Sequence, residues 1–224
     1  GILSFIFLVA AILYDFDAIA MSNERSADSG NMLYKGSEIN HQWSKSSDFE
    51  NTFQRLIKNE MTADISYFSM LRPLSEFQIA QIFATTPKYH HAFSSCNRAY
   101  KITDSHQSKW CCECDKCRFV FLILSPFLRQ DELIKIFGKN LFEEITHIEK
   151  YRELLGLEGY KPFECVGEFE ESQAALYLIN NSPDWADTPV IKNLMKAVNQ
   201  KKIDLRDSFD KAIKINRRHR MPQL

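Results

Sequence analysis

The chain has 224 residues, with 28 Lys and Arg against 29 Asp and Glu and a net charge of −1. Its 45% hydrophobic and 25% charged residues are those of a packed globular chain, which excludes intrinsic disorder. A charge so near zero gives no reason to place nucleic acid as the main partner, and the length suits one sizeable domain or one core with a helical appendage.

The chain opens GILSFIFLVAAILYDFD. The apolar run ends at Asp15, short of the about 20 residues a membrane-spanning helix needs. No basic residue precedes it, as one would in a secretory signal. The prediction is a core helix over Ile2–Tyr14, apolar nearly all round, feeding a short buried strand over Phe16–Met21. A start inside an apolar element, without Met, reads as a chain cut from a longer one. The polar residues Ser22–Ser26 follow the strand. In α/β folds ligands bind at the carboxyl ends of strands, and an ordinary solvated loop is the competing reading.

A loop around Gly30 and Gly36 leads to NHQWSK, where Asn40, His41, Gln42, Ser44 and Lys45 crowd polar groups around Trp43. Such density suits a polar ligand, although a lone His is more often structural. A helix is predicted over Phe49–Asn59, with Phe49, Phe53, Leu56 and Ile57 on one face and Asp48 as candidate cap. Ile65–Leu71 reads as a second strand, and Ser75 with Gln78 as a capping box opening a helix through Phe83. Arg72 then lies at a strand-to-helix junction, where a guanidinium can clamp a carboxylate or phosphate. An ion pair with Glu76 is the alternative.

The richest stretch is FSSCNRAYKITDSHQSKWCCECDKCRFVFLIL, residues 93–124. Cys111, Cys114 and Cys117 are spaced C-x-x-C-x-x-C, and three thiolates that close need a fourth ligand from outside the turn. Cys96 is the nearest. The set Cys96, Cys111, Cys114 and Cys117 is therefore predicted to hold zinc in a closed, all-cysteine structural site, with Cys112 pointing away. Disulfides are the alternative, but nothing else suggests an oxidising compartment and vicinal cysteines pair poorly.

Helices are predicted over Arg118–Leu124, Asp131–Phe137 (stopped by Gly138) and Leu141–Leu155 (stopped by Gly156). The segment KPFECVGEFEES follows, with an amphipathic helix over Ser172–Asn180. Glu170 and Glu171 suit the first turn of that helix through its dipole. Glu164 and Cys165, between Phe163 and Val166, have apolar neighbours able to shift their pKa values, which marks them as candidates for chemistry. Two further helices, Val190–Asn199 and Ile203–Ile215, carry no visible chemistry. The basic end Arg217–Arg220 reads as a solvated tail.

Six blocks together, MSNERSA (21–27), NHQWSKS (40–46), LRPLSE (71–76), FSSCNRA (93–99), WCCECDKCRFVFL (110–122) and KPFECVGE (161–168), resemble the UDP-N-acetyl-α-D-muramoyl-L-alanyl-L-glutamate epimerase family. The cysteine block is also similar to the zinc-bearing end of 7-cyano-7-deazaguanine synthase, in the ATP pyrophosphatase superfamily. The resemblance implies an α/β, adenine-nucleotide α-hydrolase-like (Rossmann-like) sheet, incomplete at the amino end. In that arrangement residues 1–125 are the nucleotide-binding part with the cysteine cluster, and residues 126–224 a helical region packed on it.

The implied reaction inverts the terminal L-glutamate of UDP-MurNAc-L-Ala-L-Glu through an acyl-adenylate, using ATP and Mg2+, in bacterial cytoplasmic peptidoglycan precursor synthesis. A carboxylate beside the α-carbon opposes a second negative charge there. Adenylation removes that charge, and a base and an acid on opposite faces then move the proton. By motif position Asn23, Glu24 and Arg25 are candidate nucleotide- or substrate-binding residues; Lys45 and Arg72 are candidate anchors for the nucleotide or glutamyl carboxylates, and Cys165, Glu164 and Glu168 candidate proton-transfer groups, since thiols and carboxylates can both work at the α-carbon after pKa tuning. The superfamily's Gly-rich phosphate loop is absent from these residues. That implies an amino-terminal half upstream of Gly1, and 224 residues that are inactive alone. The partners implied are the UDP-MurNAc-dipeptide and that other half, with neither nucleic acid nor membrane. The competing readings are an ATP pyrophosphatase-type enzyme modifying tRNA or a nucleoside, and a non-enzymatic zinc-stabilised interaction domain.

Overall fold

The computed structural model describes residues 1–30, 32–61, 64–99 and 109–222. The chain divides into two compact units, Gly1–Ser75 with Ile215–Leu224, and Glu76–Lys214. Among the described residues the fold is mixed α/β, with four short strands and nine α-helices.

In the first unit, helix α1 (Ile2–Leu13) leads to strand β1 (Ala18–Met21), a hairpin of β2 (Met32–Tyr34) and β3 (Ser37–Ile39), helix α2 (Ser47–Glu60) and strand β4 (Ser66–Ser69). β1 pairs with β4 in parallel, Ile19 opposite Tyr67. Parallel neighbours need a crossover between them, and α2 lies in it. Its amphipathic face puts Phe49, Phe53 and Ile57 against Ile19 and Tyr67. The cap of α2 is Ser46, whose hydroxyl accepts from the Phe49 N–H, and not Asp48. Asp48 lies inside the first turn and accepts from Trp43 Nε1 at 2.8 Å. The hairpin occupies the predicted loop. Lys35 and Gly36 have φ of 49° and 80° at its tip, the left-handed pair that a two-residue connection demands and that glycine adopts freely.

The predicted core helix forms but is not buried. Only Ser4, Leu8 and Ala11 of α1 are covered, whereas Ile2 is 81% and Leu13 74% exposed. One stripe of a twelve-residue helix can face the sheet; beyond it Phe5 packs edge-to-face on Phe53, and Ile2, Ile6, Val9 and Leu13 stay exposed.

The second unit is helical. Helix α3 (Glu76–Ala84) is followed by the cysteine segment, then α4 (Asp115–Leu124), α5 (Gln130–Phe137), α6 (Ile148–Leu154), α7 (Phe169–Ile179), α8 (Pro189–Lys201) and α9 (Leu205–Ala212). Every residue from Lys116 to Leu124 is buried, because α4 runs through the middle with α3, α5, α6 and α7 packed on it. Phe121, Phe142 and Trp185 form an edge-to-face cluster with centroids 4.9–5.8 Å apart, and the Trp185 indole donates to Ser125 O.

The single helix predicted over 141–155 is broken. Asn140 Oδ1 accepts from Phe142 N, a 3-10 turn covers Ile145–His147, and regular helix begins only at Ile148. A polar chain accounts for the break. Arg118 Nε donates to His147 Nδ1 at 2.9 Å, and His147 Nε2 meets Glu144 Oε2 at 3.1 Å. Burial and the Arg118 charge push the His147 pKa down, so the ring serves as a neutral link in the core. α7 starts three residues earlier than predicted and α9 ends earlier. The predicted stops hold at Gly138 and Gly156, with φ of 86° and 66°.

Candidate functional site

The four cysteines converge. Cys96, Cys111, Cys114 and Cys117 present sulfurs that all lie within 4.8 Å of one another. The separations are 4.0 Å for Cys96–Cys114, 3.8 Å for Cys111–Cys117 and 3.4 Å for Cys114–Cys117. A tetrahedral ion with metal–sulfur bonds of about 2.3 Å spaces its sulfurs about 3.8 Å apart. The donors therefore fit a tetrahedral metal, and they are too far apart for disulfides; all six cysteines are free thiols.

Local backbone geometry builds this cluster. Cys114 is the N-cap of α4, its sulfur accepting from Cys117 N, while Cys111 N donates to Cys96 Sγ and Glu113 N to Cys111 Sγ. Such N–H donors favour thiolates. The Cys114 thiol is held well below its usual range, chiefly by the hydrogen bond from Cys117, whose own proton is correspondingly retained. Cys112 turns away, as predicted. It has a φ of 60°, donates to Phe137 O at 3.2 Å, and burial pushes its thiol up to about 11. The excursion between Cys96 and Cys111 includes residues 100–108, outside the described residues.

The ECVGE segment lies against the helix whose start carries the cysteine cluster. Glu164 Oε2 accepts from Lys116 N at 3.0 Å, at the first turn of α4. Glu168 is the N-cap of α7, and its N–H donates to Glu171 Oε2 at 2.7 Å. The other Glu171 oxygen accepts from Glu76 N at 2.8 Å, so one carboxyl holds the starts of both α3 and α7. Glu171 is fully buried. Burial, then the charges of Glu76 and Glu168, raise its pKa to about 8. Lys116 Nζ reaches Glu76 Oε1 at 3.5 Å. Burial lowers the pKa of Lys161, offset in part by Glu168 and Glu171. Cys165 is half-buried.

Glu171 was missed because a first-turn glutamate reads as a helix-dipole partner. The signal present was its position three residues after Glu168, the spacing of a capping box.

Gly167 is required here. A Cβ at that position would overlap Glu171 Oε2 and the ring of Phe119, both fixed in the core. Gly167→Ala is expected to destabilise the protein by about 2–4 kcal/mol through overpacking and displacement of the Glu171 hydrogen bonds, read as a lowered denaturant midpoint at unchanged slope.

In the first unit, Arg72 ties several candidates together. Its side chain is 0% exposed; Nη1 donates to Glu24 O at 2.7 Å and Nη2 to Lys45 O at 2.6 Å, with Glu50 Oε2 at 3.3 Å and Asp28 Oδ1 at 3.5 Å. Its carboxylate partners within this unit are Glu50 and Asp28. Asn23 Nδ2 donates to Ser69 Oγ at 3.0 Å, bridging the carboxyl ends of β1 and β4. Arg25 N donates to Leu74 O. Among the polar residues around Trp43, Asn40 Nδ2 donates to Ala27 O and Lys45 Nζ to Gln42 Oε1.

A cleft of about 460 Å3 opens beside Arg72, walled by Asp28, Glu50, Asn51, Arg218 and Arg220. The predicted solvated tail is exposed but laid against this unit, with Asn216 N donating to Pro73 O and Arg220 paired with Asn51. A second cleft, also about 460 Å3, lies in the other unit, lined by His90, His91, Phe93, Lys109, Trp110 and Lys135.

Residues 92–208, more than half of the chain, match the MurL C-terminal domain, and residues 1–70 match the MurL N-terminal domain. The chain belongs to the MurL family. It is 45% identical over 195 residues to a UDP-N-acetyl-alpha-D-muramoyl-L-alanyl-L-glutamate epimerase of Micromonospora sp., covering 87% of this chain and 43% of the relative. It is 40% identical over 221 residues to the epimerase of that name from Xanthomonas oryzae pv. oryzae, covering 98% of this chain and 49% of the relative. For the one from Salinispora tropica the identity is 42% over 195 residues, 87% of this chain and 42% of the relative. The chain thus spans about half the length of the curated MurL relatives it matches. No solved structure matches it. The alternative of a tRNA- or nucleoside-modifying enzyme gains no support from these names. Among the described residues no helix is long and apolar enough to cross a membrane.

Proposed function

We propose that the chain is part of an ATP-dependent epimerase that inverts the terminal L-glutamate of UDP-MurNAc-L-Ala-L-Glu in peptidoglycan precursor synthesis. The observation that carries this reading is the match of the MurL N- and C-terminal domains in order along one chain, with relatives of that name at 40–45% identity.

The four thiols take zinc, and the zinc is structural: four protein ligands leave a tetrahedral ion no open position. Its part is to brace the start of α4, where Lys116 N holds Glu164.

The fold reading is that β1, α2 and β4 belong to a Rossmann-like, adenine-nucleotide α-hydrolase-like sheet, with residues 1–125 serving the nucleotide and residues 126–224 packed as the helical part. The parallel pairing of β1 with β4, with Asn23 and Ser69 at their carboxyl ends, supports it. Buried Arg72 fixes the backbone at Glu24 and Lys45, which keeps Asn23, Glu24, Arg25 and Lys45 in a set geometry for nucleotide or substrate.

ATP with Mg2+ supplies the activation, since adenylating the glutamate carboxylate removes the charge that opposes deprotonation at the α-carbon. Cys165, Glu164 and Glu168 are the groups assigned to move the proton. Glu168 is well placed to hold a fixed position, because its N–H is pinned by Glu171. We place the protein in the cytoplasm, where ATP is supplied and six free cysteines persist.

The test is a family-length chain containing these 224 residues, incubated with UDP-MurNAc-L-Ala-L-Glu, ATP and Mg2+ in D2O. UDP-MurNAc-L-Ala-D-Glu carrying α-deuterium on its glutamyl residue should form together with AMP, and absence of both defeats the reading. In the same chain, Cys165→Ala should lower kcat by a factor of at least about 100, the scale of one acid–base group. Metal content and circular dichroism should not change. Undiminished turnover removes Cys165 from the proton path.

A further inference from the structure

The first unit presents two apolar surfaces that a finished α/β layer does not leave bare. On one face of the β1–β4 pair, Ile19 and Tyr67 are covered by Leu8 and Ala11 of α1 and by Phe53 and Ile57 of α2. On the other face Ala18, Ala20 and Ser66 are exposed and Phe68 is half-buried. Parallel sheets are as a rule covered on both faces, and two strands alone are too few for independent stability.

The second bare surface is α1. Leu8 and Ala11, with Ser4, form its buried stripe; Ser4 is bonded to the Tyr67 hydroxyl at 2.9 Å. Ile2, Ile6, Val9 and Leu13 recur at i, i+4, i+7 and i+11 on the opposite side and are 54–81% exposed. A helix facing water carries charged residues there; α1 has none in either its first or its last turn. A contiguous aliphatic stripe of this kind marks an interaction surface.

We propose that the Ile2–Ile6–Val9–Leu13 stripe of α1 and the Ala18–Ala20–Phe68 face of the sheet are interior surfaces of the family-length protein. Their occupant is the portion of that protein lying outside these 224 residues. More than half of the length of each relative is unmatched by this chain, enough to supply both a covering helical layer and further strands. A second copy docked through α1 would still leave the opposite sheet face bare, and so would a lipid surface. Only an occupant reaching both sides of the β1–β4 pair completes the layer. This inference does not depend on the epimerase chemistry.

The experiment supplies the unmatched portion of the Xanthomonas oryzae relative in trans to the 224-residue chain. Light scattering should show a 1:1 complex. Binding of 8-anilinonaphthalene-1-sulfonate to the chain should fall several-fold, and the α1 amides should gain protection from hydrogen exchange. Ile6→Glu with Val9→Glu should weaken the complex at least tenfold while the metal content of the four-cysteine cluster is unchanged, showing that the second unit stays folded. The same pair of substitutions at the aligned positions of the intact relative should lower its melting temperature. The proposal is overturned if no complex forms and the intact relative tolerates both glutamates. It is equally overturned by a discrete homodimer with α1 already protected, or by partition of α1 into phosphatidylglycerol vesicles that the added portion does not reverse.

Discussion

Cys117→Ala is expected to abolish metal binding and to lower the stability of the second unit. Cys117 is 0% exposed and its sulfur lies 3.8 Å from Cys111 and 3.4 Å from Cys114, so its loss leaves the cluster one sulfur short of a tetrahedral set. A structural zinc site contributes on the order of 10 kcal/mol to folding in small zinc domains, against a total stability of about 5–15 kcal/mol for a typical domain. The aromatic core around Phe121 and Trp185 retains part of the fold, so the expected loss is several kcal/mol, read as a melting temperature lower by at least about 10 °C. Removing metal from the wild-type chain with a chelator should reproduce the change. Cys112→Ser is the control: its partner is Phe137 O, outside the cluster, and one metal per chain should remain. A wild-type chain that purifies without metal and melts unchanged in chelator would sink the zinc assignment.

Glu171 should make the second unit lose stability as pH rises from 5 to 9. Its folded pKa, about 8, lies above the ordinary carboxyl value, so the folded state holds a proton that the unfolded chain releases near pH 4.5. The stabilisation is therefore complete below that unfolded value, declines as pH rises, and is lost once pH passes the folded value. Across that window the change is on the order of 4 kcal/mol. Glu171→Gln cannot ionise and should flatten the profile. It should also lower stability at pH 5 by about 1–3 kcal/mol, since an amide offers only one oxygen to the N–H groups of Glu76 and Glu168. Denaturant midpoints measured for both proteins at pH 5, 7 and 9 decide the matter; parallel profiles would show that Glu171 is not the group responsible.

The cysteine cluster was legible because its geometry is local. A C-x-x-C-x-x-C turn closing on the start of a helix brings three sulfurs together wherever the rest of the chain goes, and the helix stops at Gly138 and Gly156 follow from left-handed backbone in the same local way. The roles of Arg72 and Glu171 were not legible. Arg72 binds the carbonyls of Glu24 and Lys45, which are 48 and 27 residues away, and Glu171 binds the N–H of Glu76 across 95 residues. No periodicity or spacing reports contacts of that range. The break at Ile145–His147 has the same origin, since it depends on Arg118 reaching His147.

The amino acids alone thus determined the four-cysteine cluster and the family resemblance, with the α/β class that it implies, because both rest on residue types at short, fixed spacing. The tertiary structure decided which carboxyl is buried, which guanidinium is enclosed, and that the apolar helix α1 is bare along most of its sides. Apolar composition says that a helix seeks cover; which parts of it find cover depends on the elements within reach, and that is a property of the packed chain.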